Sequence, residues 1–125
     1  MEKISEDELN EILHSYNLDG LSFDNAKQVE PDIILYFFHD KENIPYVLLT
    51  ADYLGGYEDK NLPYDFEFDY GYPYRKVTFR AWEAFSYSED SSKKADEYID
   101  DNHLWTKAST GDVCMLFRCS DLKIW

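Results

Sequence analysis

Between Tyr64 and Tyr70, aromatic rings alternate strictly with carboxylates: Tyr64, Phe66, Phe68 and Tyr70 share one parity, Asp65, Glu67 and Asp69 the other. Successive side chains on a strand point to opposite faces, so this segment predicts a strand with four rings on one side and three acids on the other. Burying one ring stabilises by about 1.5–3 kcal/mol, which turns the rings inward and leaves the acids in water. A strand of this kind needs neighbours, and the rest of the chain is read for them.

Residues 4–16 carry a helix-start signature. Ser5 is the expected N-cap, Glu8 completes a capping box, and Ile4 with Leu9 forms a hydrophobic staple. Glu6, Asp7 and Glu8 suit the positive end of the helix dipole, and Leu9, Ile12, Leu13 and Tyr16 make one apolar stripe. The stop falls at residues 17–20. Residues 21–31 are weakly patterned and read as a loop with at most a short strand at 21–23. Residues 32–38 and 44–53 are apolar runs separated by His39-Asp40-Lys41-Glu42-Asn43, the pattern of a β-hairpin with a polar tip. Pro45 falls near the start of the second strand, where a missing donor is tolerated.

Residues 54–63, with two glycines and a proline, read as a flexible connection before the alternating strand. Gly71 and Pro73 predict a turn or bulge, then a strand over residues 74–85 in which Val77, Phe79 and Ala81 share a parity. A serine-rich acidic loop at 86–92 leads into a second helix over residues 91–101, and two strands follow at 104–108 and 113–119. The 125 residues suit one domain, with no linker or internal repeat. The expected class is α+β: a mainly antiparallel sheet of about five to six strands with two helices packed on it.

Charge sets the functional reading. The formal net charge is −14, and residues 1–74 hold 17 acids against 4 bases, whereas residues 75–125 hold 9 against 8. Such a field disfavours direct binding to nucleic acid or an anionic membrane and favours basic protein surfaces. With 44% hydrophobic and 18% aromatic residues the chain has enough apolar surface to fold despite that charge. The N-terminus has no signal-peptide pattern and no run reaches membrane-spanning length, so a soluble protein of the cytosol, bacterial or phage-infected, is expected. Cys114 and Cys119, five apart in an apolar run, would point to opposite faces of one strand and are read as reduced thiols.

Motifs for enzymatic chemistry are sparse. The sequence has no phosphate-binding glycine loop, nucleophile elbow, zinc-type Cys/His spacing or helical His-Glu-x-x-His pair. Pro31-Asp32 followed by Glu58-Asp59-Lys60 resembles the PD-(D/E)xK nuclease pattern in its letters, but that family holds the Glu and Lys on a strand, and here they are expected in a glycine-bounded loop. His14, His39 and His103 do not converge and are read as surface or capping residues. No cofactor and no metal are expected.

Binding by charge remains. Asp65, Glu67 and Asp69 would stand about 6.6–6.8 Å apart along a strand. Duplex DNA presents one phosphate per roughly 3.4 Å on each strand, so other rows must contribute if the surface is to match it. The candidates are Glu6, Asp7 and Glu11 on the first helix, Glu58 and Asp59 in the loop, and Glu89, Asp90, Asp96, Asp100 and Asp101 around the second helix. The leading reading is a non-enzymatic acidic inhibitor that docks in the nucleic-acid groove of a basic protein, a nuclease or another nucleic-acid-binding enzyme. In composition the chain is similar to phage-encoded DNA mimics of the anti-restriction and anti-CRISPR type, and that similarity implies competition through charge-assisted pairing with Arg and Lys. The alternatives are an immunity protein neutralising a cognate bacterial toxin, and a carboxylate- or metal-dependent enzyme.

Overall fold

A strand covered on both faces has no need of alternation, and the apolar runs at 33–38 and 46–51, the second broken only by Thr50, call for cover on both sides. The computed structural model describes residues 3–16, 18–51, 57–85, 103–107 and 113–125, with the backbone alone at 57–60, 103–107 and 113–114. Its elements in chain order are α1 Glu6–Ser15, β1 Ser22–Glu30, β2 Ile33–His39, β3 Pro45–Ala51, β4 Tyr57–Asn61, β5 Tyr64–Gly71, β6 Arg75–Phe85, β7 His103–Lys107 and β8 Val113–Ile124. Six strands form one sheet in the order β1-β2-β3-β8-β6-β5, every neighbouring pair antiparallel. β4 and β7 pair with each other in a separate two-stranded ribbon.

The sheet curls. Val29, Leu35, Val47, Phe66, Phe79 and Phe117, one from each of the six strands, belong to a single buried cluster, and the edge strands β1 and β5 come within 8 Å of each other between Cα atoms. A flat sheet would hold those strands at opposite ends. β-bulges supply bending: register shifts occur twice in β1–β2, twice in β6–β8 and once in β5–β6. The inner face is thereby packed much as the interior of a small barrel is, with Phe66 stacked on Phe79 at 4.9 Å between centroids and tilted against Phe117 at 5.2 Å.

The outer face is covered only in part by the described elements. Leu9 and Leu13 of α1 and its C-cap Tyr16 bury against Ile34, Tyr36, Phe38, Tyr46, Leu48 and Leu116 of β2, β3 and β8. Under the helix both faces are buried, which is why all of residues 34–38 and 46–51 are buried. Away from it, on β5 and β6, the outer face meets water and alternation returns. Sequence pattern and helix placement are thus one fact seen twice.

Local chemistry fixes the ends. The Ser5 side chain accepts from the Glu8 amide at 3.3 Å, and the Ile4 amide donates to the Tyr36 hydroxyl at 2.7 Å, tying the start of α1 to the sheet. At the other end the Leu18 amide returns to the Leu13 carbonyl and Gly20 takes φ +88, a conformation that glycine adopts without strain. The β2–β3 turn is built on Asp40, whose carboxylate accepts from the Glu42 and Ile44 amides while Asn43 sits at φ 63.

Two expectations change, and a third falls outside the described residues. Residues 22–30 form a full strand, β1, where a loop was expected. It is an edge strand with Val29 its one fully buried residue, and its two bulges break the period-2 pattern. Residues 57–61 are strand β4, paired to β7, where a flexible connection was expected. The described residues hold one helix, and the helix expected over residues 91–101 lies outside them. No helix among the described residues is long and apolar enough to cross a membrane.

Candidate charged surface

The alternation of residues 64–70 is realised as expected. Phe66 is buried, Tyr64, Phe68 and Tyr70 are partly buried on the inner face, and Asp65, Glu67 and Asp69 are exposed on the outer one. β5 turns through Tyr72–Tyr74 into β6, and the antiparallel register then sets Asp65 opposite Arg80, Glu67 opposite Thr78 and Asp69 opposite Lys76. Because Val77, Phe79 and Ala81 take the inner parity, Lys76, Thr78 and Arg80 take the outer one. The acidic row therefore lies beside a row that carries two cations.

The pairing is direct. Arg80 Nε donates to Asp65 Oδ1 at 2.8 Å and Nη2 to Oδ2 at 3.1 Å, a bidentate fork. That hydrogen bond holds the Asp65 carboxyl below the usual aspartate range and raises the guanidinium in return. Lys76 Nζ lies 3.6 Å from Glu67 Oε1, and on the neighbouring pair of strands Arg118 Nε lies 3.2 Å from Glu83 Oε2. Two exposed indoles accompany these cations: Lys76 lies over the Trp125 ring at 4.7 Å, and the Arg80 guanidinium stands 5.7 Å from that of Trp82. Trp82 donates its Nε1–H to Ser120 Oγ at 2.6 Å. Between β5, β6 and β8 runs an open groove of about 590 Å³ whose charged lining residues are Asp65, Glu67, Asp121, Lys76, Arg80 and Lys123.

α1 is different. Glu6, Asp7, Glu8 and Glu11 are all exposed, and among the described residues none makes an ion pair. Glu6, Asp7 and Glu8 lie in the first turn, where the dipole favours them. The helix packs over β2, β3 and β8, whereas the row Asp65, Glu67 and Asp69 lies on edge strand β5, with β6 between it and β8. The acids of α1 and those of β5 are thus two separate groups on the outer surface, the first without ion pairs among the described residues and the second largely paired.

Glu58 and Asp59 lie on β4, opposite Thr106 and Trp105 of β7, rather than in a loop. This corrects the reason for setting the nuclease-like letters aside. Glu58 and Lys60 are on strand β4, and Asp32 lies in the β1–β2 turn of the other sheet rather than on a strand paired with β4. Glu89, Asp90, Asp96, Asp100 and Asp101 lie outside the described residues. Among the described residues, no group of three or more His, Cys, Asp or Glu is placed to hold a metal ion.

Sequence reading missed the cationic row and the two histidine pairs. His39 Nδ1 lies 2.7 Å from Asp24 Oδ1, and His14 Nδ1 lies 3.4 Å from Asp19 Oδ1. The signal for Lys76 and Arg80 was present: they share the parity opposite to Val77 and Phe79, and a hairpin about residues 72–74 would set them against Asp69 and Asp65. Nothing in the sequence pairs Asp24 with His39, because the strand that carries Asp24 is itself hard to see. The chain matches no protein-family model, and no curated protein and no solved structure matches it.

Proposed function

We propose that the protein is a non-enzymatic inhibitor that binds a basic protein, a nuclease or other nucleic-acid-binding enzyme, and competes with its nucleic acid. The single observation that carries this reading is the contrast between the two acidic groups. Two of the three acids of β5, Asp65 and Glu67, are paired with cations of the same chain, while Glu6, Asp7 and Glu11 project from a helix tied to the sheet and, among the described residues, make no ion pair. Fixed, uncompensated carboxylates raise the on-rate for a positively charged groove and pair with Arg and Lys inside it. The contact surface is accordingly assigned to α1, whose Glu6, Asp7 and Glu11 are exposed.

The test is affinity capture from the source organism's lysate with the purified chain as bait, eluted with DNA or RNA at fixed salt. Capture of a nucleic-acid-binding protein that nucleic acid displaces supports the proposal. Capture of a single protein that nucleic acid does not displace points to toxin immunity instead, and overturns competition as the mechanism.

A further inference from the structure

On the outer face of β5, β6 and β8 the acids are nearly matched by bases, and we infer that it is a self-association surface for a second copy of this chain. The groove is lined by three acids, Asp65, Glu67 and Asp121, and three bases, Lys76, Arg80 and Lys123. In a chain of net charge −14, a balanced face is where another copy approaches with least repulsion. At about 0.15 M salt the Debye length is about 8 Å, so the remaining charge of each copy is largely screened while contacting pairs are not.

The charges are also ordered in a way that complements itself. A row of acids on β5 (Asp65, Glu67, Asp69) runs beside a row on β6 (Arg80, Thr78, Lys76) in matched register. A two-fold axis parallel to the strands and between these two rows, with the faces opposed, sets Asp65 of one copy over Arg80 of the other and Asp69 over Lys76. Such an isologous contact makes each pairing twice. At the two ends of the cationic row stand Trp82 and Trp125, 47% and 48% exposed, beside Arg80 and Lys76. Exposed indoles beside cations are the residue types that anchor protein interfaces. Asp69 makes no ion pair within its own chain among the described residues, which leaves it free for the partner.

Sedimentation equilibrium of the purified chain over a concentration series, at about 0.15 M salt, is the test, with two charge reversals, Asp69→Lys and Lys76→Glu. The wild type is expected at the mass of two chains, with Trp fluorescence shifting to the blue as concentration rises. Each variant places like charges opposite each other twice and is expected to associate roughly tenfold or more weakly. An equimolar mixture of the two restores complementary contacts and is expected to regain the two-chain mass. Wild-type protein that stays at the mass of one chain at every concentration overturns the inference whatever the variants do. A wild-type dimer that neither reversal weakens, or that the mixture of weakened variants fails to restore, overturns this face as its site.

Discussion

Arg80 grips Asp65 across the β5–β6 pair through two hydrogen bonds, at 2.8 and 3.1 Å, with both side chains at the water surface. The bond lowers the Asp65 pKa. A carboxyl depressed in the folded state adds stability above its unfolded pKa and gives it up as pH falls through the folded one. In a carboxyl-detected NMR titration the Asp65 midpoint is expected below the ordinary aspartate range, and in Arg80→Gln it should return towards that range. An unmoved midpoint in the variant would mean that the fork is not what holds the proton off.

Phe117 is fully buried at the centre of the inner face, in ring contact with Phe66 and Phe79. Truncating it removes packing at the centre of the curled sheet, where the surrounding rings are already held by their own contacts. Phe117→Ala is expected to cost about 3–5 kcal/mol in chemical denaturation. A loss under about 1 kcal/mol would contradict a tightly packed interior.

The Ile4 amide depends on the Tyr36 hydroxyl for its hydrogen bond. Tyr36→Phe keeps the ring and removes the acceptor, so the expected cost is about 1–2 kcal/mol. Amide exchange at the first turn of α1 should quicken before that of β2. Unchanged protection across residues 4–9 would show that the helix is held by its apolar stripe alone.

Cys119 is buried on β8, and burial pushes its thiol from 9.0 up to about 12. Between those values the unfolded chain loses the proton and the folded chain keeps it, so stability falls as pH rises from 9.0 towards 12. A thiol reagent at pH 8 should leave Cys119 unmodified until denaturant is added. The alkaline decline should be shallower in Cys119→Ala, and an equal slope in both proteins would exclude this thiol as its source.

Much of this was legible because particular residues obey simple periods. The rings and acids of residues 64–70 differ so strongly in hydration that strand and facing follow together, and Ser5, Glu8 and the Leu9–Leu13 stripe define α1 without help. Residues 34–38 read as a strand but not as one covered twice, since an apolar run does not say what lies on either side. β1 was hidden because the positions opposite the inner-face residues Phe37 and Leu35 are Asn25, which is exposed, and Lys27, which is half-buried, on an edge where the sheet needs little apolar surface. The balance of Asp65 by Arg80 was not seen because facing within one strand is local, whereas register between strands depends on the turn at 72–74. Charge counted along a sequence overstates the field wherever register later pairs it.

The central claim is that α1, and not β5, carries the partner contact. It is tested by comparing two proteins in binding to the captured nucleic-acid-binding partner: the triple variant Glu6→Gln, Asp7→Asn, Glu11→Gln, and the single variant Asp65→Asn. The account predicts that the triple variant loses affinity by roughly tenfold or more and associates more slowly, while Asp65→Asn binds within about twofold of the wild type. Undiminished binding by the triple variant, or binding abolished by Asp65→Asn in a chain that remains folded, would contradict it.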